Sequence, residues 1–154
     1  MGNKLFCAVM YHAYGDFLKA IFHLEKEFGD ISKQSEEYEF NFTDYYEKEF
    51  GIDLKKVMVI FDKAIIKEDL IPIRLRTGEI EKELSKDDKR TVNIDPGYVS
   101  ETEVVLATMK FQSFKEELGD GVYLHKVLEF KDNEVITFEH TFADYKDHLE
   151  FFHP

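Results

Sequence analysis

Apolar positions along this chain follow distinct rhythms, and each rhythm predicts an element. From Leu5 to Tyr11 the run is nearly continuous, which predicts a buried strand. Phe17, Ile21, Leu24 and Phe28 then recur at helical spacing, with Asp16 as the expected N-cap and Gly29 where a helix C-cap belongs. Tyr38, Phe40 and Phe42 alternate with Glu37, Glu39 and Asn41, the signature of a half-buried strand. Asp44 and Glu47 have capping-box spacing for a short helical turn that Gly51 can end. Lys56 to Ile65 carries the apolar strand Val57 to Phe61. Leu70 to Leu84 predicts a helix with Ile73, Ile80 and Leu84 on one side, Pro72 being tolerated in its first turn.

Beyond a solvated turn at Lys86 to Lys89, Thr91 to Asp95 predicts a strand closed by a turn at Pro96 and Gly97. Ser100 and Glu103 have the spacing of a capping box, which predicts a helix through Val105 and Met109. Val122 to Phe130 and Val135 to His140 predict a β-hairpin about Asp132 and Asn133, and a last helix carries Tyr145, Leu149 and Phe152 on one face. The predicted order is β-α-β-β-α-β-α-β-β-α. Its first six elements follow the split β-α-β pattern of a ferredoxin-like domain. The expected fold class is therefore α+β: a single domain over residues 1–154, with a mostly antiparallel sheet and helices on one face, extended by the C-terminal hairpin and helices. Another α+β arrangement of the same elements is the alternative.

Composition narrows the partners more than the chemistry. The 154 residues are 44% hydrophobic and include 15 Phe and 8 Tyr but no Trp, an aromatic load that argues for a dense core. The formal net charge is -12, and the 20 Lys and Arg are scattered, mostly beside acidic residues, so nucleic acid is not an expected partner. Arginine, the better side chain for bidentate anion recognition, occurs at Arg74, Arg76 and Arg90. Cys7 is the single cysteine; a small buried hydrophobe is the expected role, with a reactive thiol as the alternative. No apolar stretch approaches the roughly 18 residues of a membrane span. The first residues show no signal-peptide pattern, and Phe6 stands where a myristoylation signal needs Ser or Thr. The cytoplasm is the expected compartment.

Three constellations could carry chemistry. The first runs from Arg90 through Asn93, Asp95 and Tyr98 to Ser100; Lys110, at the far end of the expected helix, cannot meet the same small ligand as Ser100. Asn93 and Asp95, two apart on a strand, share a face away from Val92 and Ile94. The expected capped helix start at Ser100 would place free backbone N–H groups beside the Asp95 carboxylate, with Arg90 as an anion partner. Against this, the Asp-Pro-Gly-Tyr string is a good turn in its own right, and Tyr98 could simply pack. The second constellation is Asp44, Tyr45, Tyr46, Glu47 and Glu49: carboxylates for a divalent metal or acid–base work and aromatics for stacking, or else a cap and a solvated acidic face. Asp44 and Asp95 are the metal candidates, and the sharpest hypothesis is one site built jointly from both segments. The third is Asp144 and His148, spaced i, i+4, with His140 before them; no zinc motif accompanies them. His12, just after the first strand, is open to the same two readings, ligand or partly exposed side chain, and His125, on the penultimate strand, is expected to face solvent. No P-loop, Rossmann fingerprint, nucleophile elbow or Cys–His signature occurs.

The strings Phe42 to Gly51, Asn93 to Tyr98, Val105 to Lys110 and Thr141 to Tyr145, taken in this order, resemble the DUF4416 family of small uncharacterised bacterial proteins. The resemblance covers essentially the whole chain. It departs at His140, where a Trp is expected, and at Ala143, where a Pro is expected. The resemblance implies kinship and a shared fold; it implies no activity or cofactor. Two function readings stand at this point. One is an interaction or assembly module, with an exposed hairpin edge or the Phe151 and Phe152 tail engaging a partner or a second copy. The other is a binding protein or enzyme for a small polar or phosphorylated molecule held near Arg90, Asn93, Asp95 and Tyr98, with Asp44, Tyr45 and Glu49 contributing and a divalent metal as an optional aid.

Overall fold

The computed structural model describes residues 2–152. Its elements are β1 (Asn3–Tyr11), α1 (Tyr14–Phe28), β2 (Ile31–Gln34), β3 (Tyr38–Glu39), α2 (Glu47–Phe50), β4 (Lys55–Ile65), α3 (Leu70–Glu83), β5 (Val92–Val99), β6 (Glu103–Thr108), β7 (Glu116–Gly119), β8 (Val122–Lys131), β9 (Glu134–Thr137), α4 (Ala143–Lys146) and α5 (Leu149–Phe152). The class is α+β. One open sheet runs in the order β2-β4-β1-β5-β6-β8-β7, with β3 beside β4 and β9 beside β8, and every ladder among the described residues is antiparallel. No helix among these residues is long and apolar enough to cross a membrane.

The unbroken apolar run of β1 has a direct cause: both of its faces are covered. Leu5, Cys7, Val9 and Tyr11 pack under α1 and α3, against Phe17, Leu24, Ile73 and Ile80. Phe6 and Ala8 alternate to the second face, under Tyr145, Phe151 and Phe152 of α4 and α5. Met10, on that same second face, lies under Phe40, Phe50 and Leu54 of the β3–α2 segment. The Cys7 thiol is wholly buried, and desolvation pushes its pKa far up, so it is a core hydrophobe and no nucleophile. Phe151 and Phe152 belong to the protein's own core.

Several elements differ from the sequence expectation. Residues 103–108 form a strand, and no helix starts at Ser100. The Ser100 hydroxyl does accept backbone N–H groups, from Thr102 and Glu103 at 3.1 Å each, but Ser100 N also donates to Glu103 O at 2.9 Å. The serine closes a tight turn between two antiparallel strands, a job with the same local bonds as a helix cap. The Pro96–Gly97 turn is likewise absent, because β5 runs straight through it to Val99. Strands β2 and β7 have too few apolar residues to announce themselves. Tyr46, not Asp44, precedes the first residue of α2, and Ala13, not Asp16, caps α1. The C-terminal helix is two four-residue helices, α4 and α5. Gly29 does end α1, at φ +95°, with its N–H on Glu25 O at 2.8 Å.

Gly97 is needed for a reason other than turning. A Cβ built there would sit 2.1 Å from the Val105 carbonyl oxygen and 2.9 Å from the Leu106 Cα, both main-chain atoms of β6. Backbone cannot yield as a side chain can. Gly97→Ala should therefore destabilise the fold by about 3 kcal/mol, read as a fall in the urea midpoint. A loss below about 0.5 kcal/mol, the size of a neutral surface change, would show that β5 and β6 are not this close.

Candidate functional site

Strand β6 meets β5 only over Gly97 to Val99, so the first part of β5 has a flank without a ladder. That flank is managed by side chains. Ile94 N donates to Glu81 Oε2 of α3 at 2.7 Å. Pro96, two residues on, turns its nitrogen to the same flank and has no N–H to satisfy. Arg90 stands just before the strand. Its Nε and one terminal nitrogen bind Glu49 of α2 in a bidentate fork at 2.9 and 3.0 Å. Its other terminal nitrogen donates to Asn93 Oδ1 at 2.8 Å and Glu81 Oε2 at 3.3 Å, and the guanidinium lies 5.1 Å from the Phe50 ring. Asn93 Nδ2 in turn donates to Asp95 Oδ2 at 3.2 Å.

Across the sheet, Met10 pairs with Lys56 on one side and Asn93 on the other, while Ala8 pairs with Met58 and Asp95. Paired residues of an antiparallel ladder share a face. Lys56, Asn93 and Asp95 therefore stand together on the second face, under the segment from Phe40 to Leu54 and under α4. Lys56 and Asp144 are both nearly inaccessible, at 5% and 2% exposure. They bond at 2.8 Å, and Tyr38 donates to the same Asp144 oxygen at 2.8 Å. The Lys56 ammonium also lies 4.6 Å from the Phe40 ring and 5.4 Å from the Tyr145 ring. Beside it, the fully buried Tyr145 hydroxyl has no hydrogen-bond partner among the described residues.

Burial first, and then the Asp95 carboxylate, raise the Tyr46 phenol to about 12. Burial followed by Asp144 raises Tyr38 and Tyr145, with Asp95 adding to both. Of the three phenols, Tyr38 donates its proton to Asp144. Burial also lifts Glu81 to about 7, against the opposing pull of the Ile94 N–H and the Arg90 charge.

The expected site residues part company here. Arg90, Glu49, Asn93 and Asp95 come together, but the Arg90 guanidinium is spent on Glu49, Glu81 and Asn93. Tyr98 pairs with Leu5 and packs in the core on the helix side, its hydroxyl bonded to Glu103. Asp44 and Tyr45 are exposed on the outer side of their segment; Asp44 lines a shallow cleft of about 340 Å³ with Glu47, Asp53 and Lys55, which Asp95 does not line. Tyr45 instead meets Lys110, whose Nζ donates to its hydroxyl at 3.3 Å. Among the described residues no group of three or more His, Cys, Asp or Glu is placed to hold a metal ion. His148 stacks on Tyr38 at 3.9 Å and donates to the Asp144 carbonyl, and His140 is sandwiched by Phe114 and Phe138. Lys56, Glu81 and Tyr38 were not singled out by sequence, nor was Tyr145 read as more than core. The one signal for Lys56 is a lysine that heads an apolar strand.

Two expectations follow. Asp144→Ala leaves Lys56 buried without its counter-ion and should cost about 3–5 kcal/mol in chemical denaturation. Lys56→Met combined with Asp144→Asn should recover most of that loss; a double variant as unstable as Asp144→Ala would refute the unpaired charge as its cause. Glu81 binds its proton more tightly folded than unfolded. Its contribution is therefore complete below about 4.5 and is lost as pH rises toward about 7. His125, lowered by burial and then by Lys115 to about 4, acts oppositely, losing stability as pH falls from 6.5 toward that value. Both proteins of a Glu81→Gln comparison carry His125, so it cancels. Between pH 5 and 7 the wild type should lose more stability than Glu81→Gln; parallel pH curves would rule out the raised carboxyl.

Neither a curated relative nor a solved structure matches the chain. A family model does, over residues 1–153, nearly the whole length. The match takes in the segments that carry Glu49, Asn93, Asp95 and Asp144, and the chain belongs to the family described as Domain of unknown function (DUF4416).

Proposed function

We propose that this protein is a small-molecule-binding domain whose site is the polar patch on the second sheet face, centred on Asp95 with Asn93, Lys56, Tyr46 and Tyr145 around it. The observation that carries the reading is the Tyr145 hydroxyl, sealed from solvent and, among the described residues, with no partner beside a buried ion pair. An orphan hydroxyl costs about 1–3 kcal/mol, and folded proteins seldom keep one without a use for it. Asp95 is the second support. Its carboxylate accepts from Asn93 and, among the described residues, faces no cation within salt-bridge distance. A ligand with amino or hydroxyl donors suits this patch better than a phosphorylated one, because the Arg90 donors are already engaged.

The scaffold we propose for the patch is the ferredoxin-like split β-α-β core. The strand order β2-β4-β1-β5, with α1 after β1 and α3 before β5, supports it. Strands β6 to β9 extend that core, β8 and β9 forming a hairpin whose turn residues Asp132 and Asn133 have φ of 52° and 64°. Assembly through this hairpin or the aromatic tail has less behind it. β7 and β9 pair along β8, and Phe151 and Phe152 are core residues.

Thermal-shift measurements with amines, polyols, nucleosides and amino acids test the reading. At least one class should raise the Tm of the wild type. Asp95→Asn should keep the unliganded Tm and lose that shift. Tyr145→Phe should be more stable than wild type without ligand, by about 1 kcal/mol, and bind more weakly. A destabilised Tyr145→Phe, or a ligand shift that survives Asp95→Asn, would sink the proposal.

A further inference from the structure

A groove of about 640 Å³ lies on the same sheet face as the polar patch but toward the other end of the strands, beyond α4 and α5. That volume falls in the range of small-ligand clefts, about 300–1,000 Å³. It runs across the sheet from Lys33 of β2, past Ile60 of β4 and Val99 of β5, to Phe130 and Val135 of the β8–β9 pair, with Phe152 as a wall. In the strand order β2-β4-β1-β5-β6-β8 this is five strand spacings, roughly 24 Å. Ile60, Val99, Phe130 and Val135 are each half-buried, so they offer apolar surface that the fold itself leaves uncovered.

The ends of the groove differ in charge. Lys33 Nζ donates to the Phe151 carbonyl at 2.6 Å and lies 5.0 Å from the Phe151 ring, which fixes the ammonium at the β2 end with donors to spare. Among the described residues Lys33 has no carboxylate within salt-bridge distance, whereas Lys4 is paired with Asp62 at 3.1 Å. At the opposite end Lys131 faces Glu134 across the ladder, and Glu101 and Asp132 sit in the two turns. A cation at the β2 end, an apolar middle and a far end where Glu101, Asp132 and Glu134 outnumber Lys131 define a complementary ligand. We infer that this groove binds an amphipathic monocarboxylate, with its carboxylate on Lys33 and its hydrocarbon chain along Ile60, Val99 and Val135. The inference does not depend on the polar patch.

Decanoate, decanol and the dicarboxylate decanedioate, titrated below micellar concentration, test it. Decanoate, about half as long as the groove, should bind one to one and shift the NMR methyl signals of Ile60 and Val99, leaving Val57 and Ile94 on the helix-covered face unmoved. Decanol should bind about fivefold more weakly, the most an exposed ion pair supplies. Decanedioate should also bind more weakly, because its second carboxylate is left in the apolar middle of the groove. Lys33→Glu should abolish the preference for decanoate over decanol, and Val99→Asp should weaken both. No saturable binding, shifts outside the groove, or equal affinity for decanoate and decanol would overturn the assignment. The methyl map is made on the unsubstituted protein, so it decides the matter even where a variant folds poorly.

Discussion

Burial of β1 on both faces is the constraint to which the rest of the molecule answers. A strand covered on one side can turn every second residue to water. β1 cannot, and its neighbours β4 and β5 inherit the problem wherever they carry a polar residue. Lys56 and Asn93 flank Met10, and Asp95 flanks Ala8. Each polar group on this face must therefore find a partner inside the protein or cost stability. The pairs that result are not equal. Lys4 and Asp62 bond at 3.1 Å with both side chains largely in water, so their contribution is at most about 1 kcal/mol. Lys56 and Asp144 bond at 2.8 Å with both side chains almost inaccessible, so losing one partner strands a charge. The second pair fixes where α4 docks, and with it the position of Tyr145.

The same logic gives Arg90 its role. An arginine beside Asn93 and Asp95 invites an anion-binding reading. Yet its forked bond to Glu49 ties the β3–α2 segment down over Met10, and its bonds to Glu81 and Asn93 tie that segment to α3 and β5. An incoming phosphate would have to displace charge-assisted bonds that are already made. Arg90 is a latch, and the negative charge gathered around it makes the patch hospitable to donors.

How much of this was legible in the chain depended on whether the cause was local. The run from Leu5 to Tyr11, the helical spacing from Phe17 to Phe28 and the Gly29 cap are local, and they are present. So is the shared face of Asn93 and Asp95, which follows from strand alternation alone. Ser100 and Glu103 misled because a serine that closes a β-turn and a serine that caps a helix accept the same backbone N–H groups. Pro96 and Gly97 misled because their turn chemistry is real. It is overruled by a flank where no N–H is needed and by β6 passing too close for a Cβ. The bond between Lys56 and Asp144 spans 88 positions, and no spacing rule reaches that far.

The string from Asn93 to Tyr98 can now be divided residue by residue. Ile94 fills the helix-side core, Pro96 suits the flank without a ladder, and Gly97 admits β6. Tyr98 packs under the helices, and Asn93 is bonded to Arg90. Each has a packing reason sufficient to keep it. Asp95 does not. It is half-buried, its one hydrogen bond among the described residues is to its neighbour Asn93, and its charge makes Tyr38, Tyr46 and Tyr145 harder to ionise. The Arg90 charge feels the Asp95 carboxylate, but among the described residues no cation lies within salt-bridge distance of it. In a segment where every other residue is accounted for by structure, that open carboxylate is the reason the proposed patch is centred on Asp95 rather than on the better-bonded Arg90.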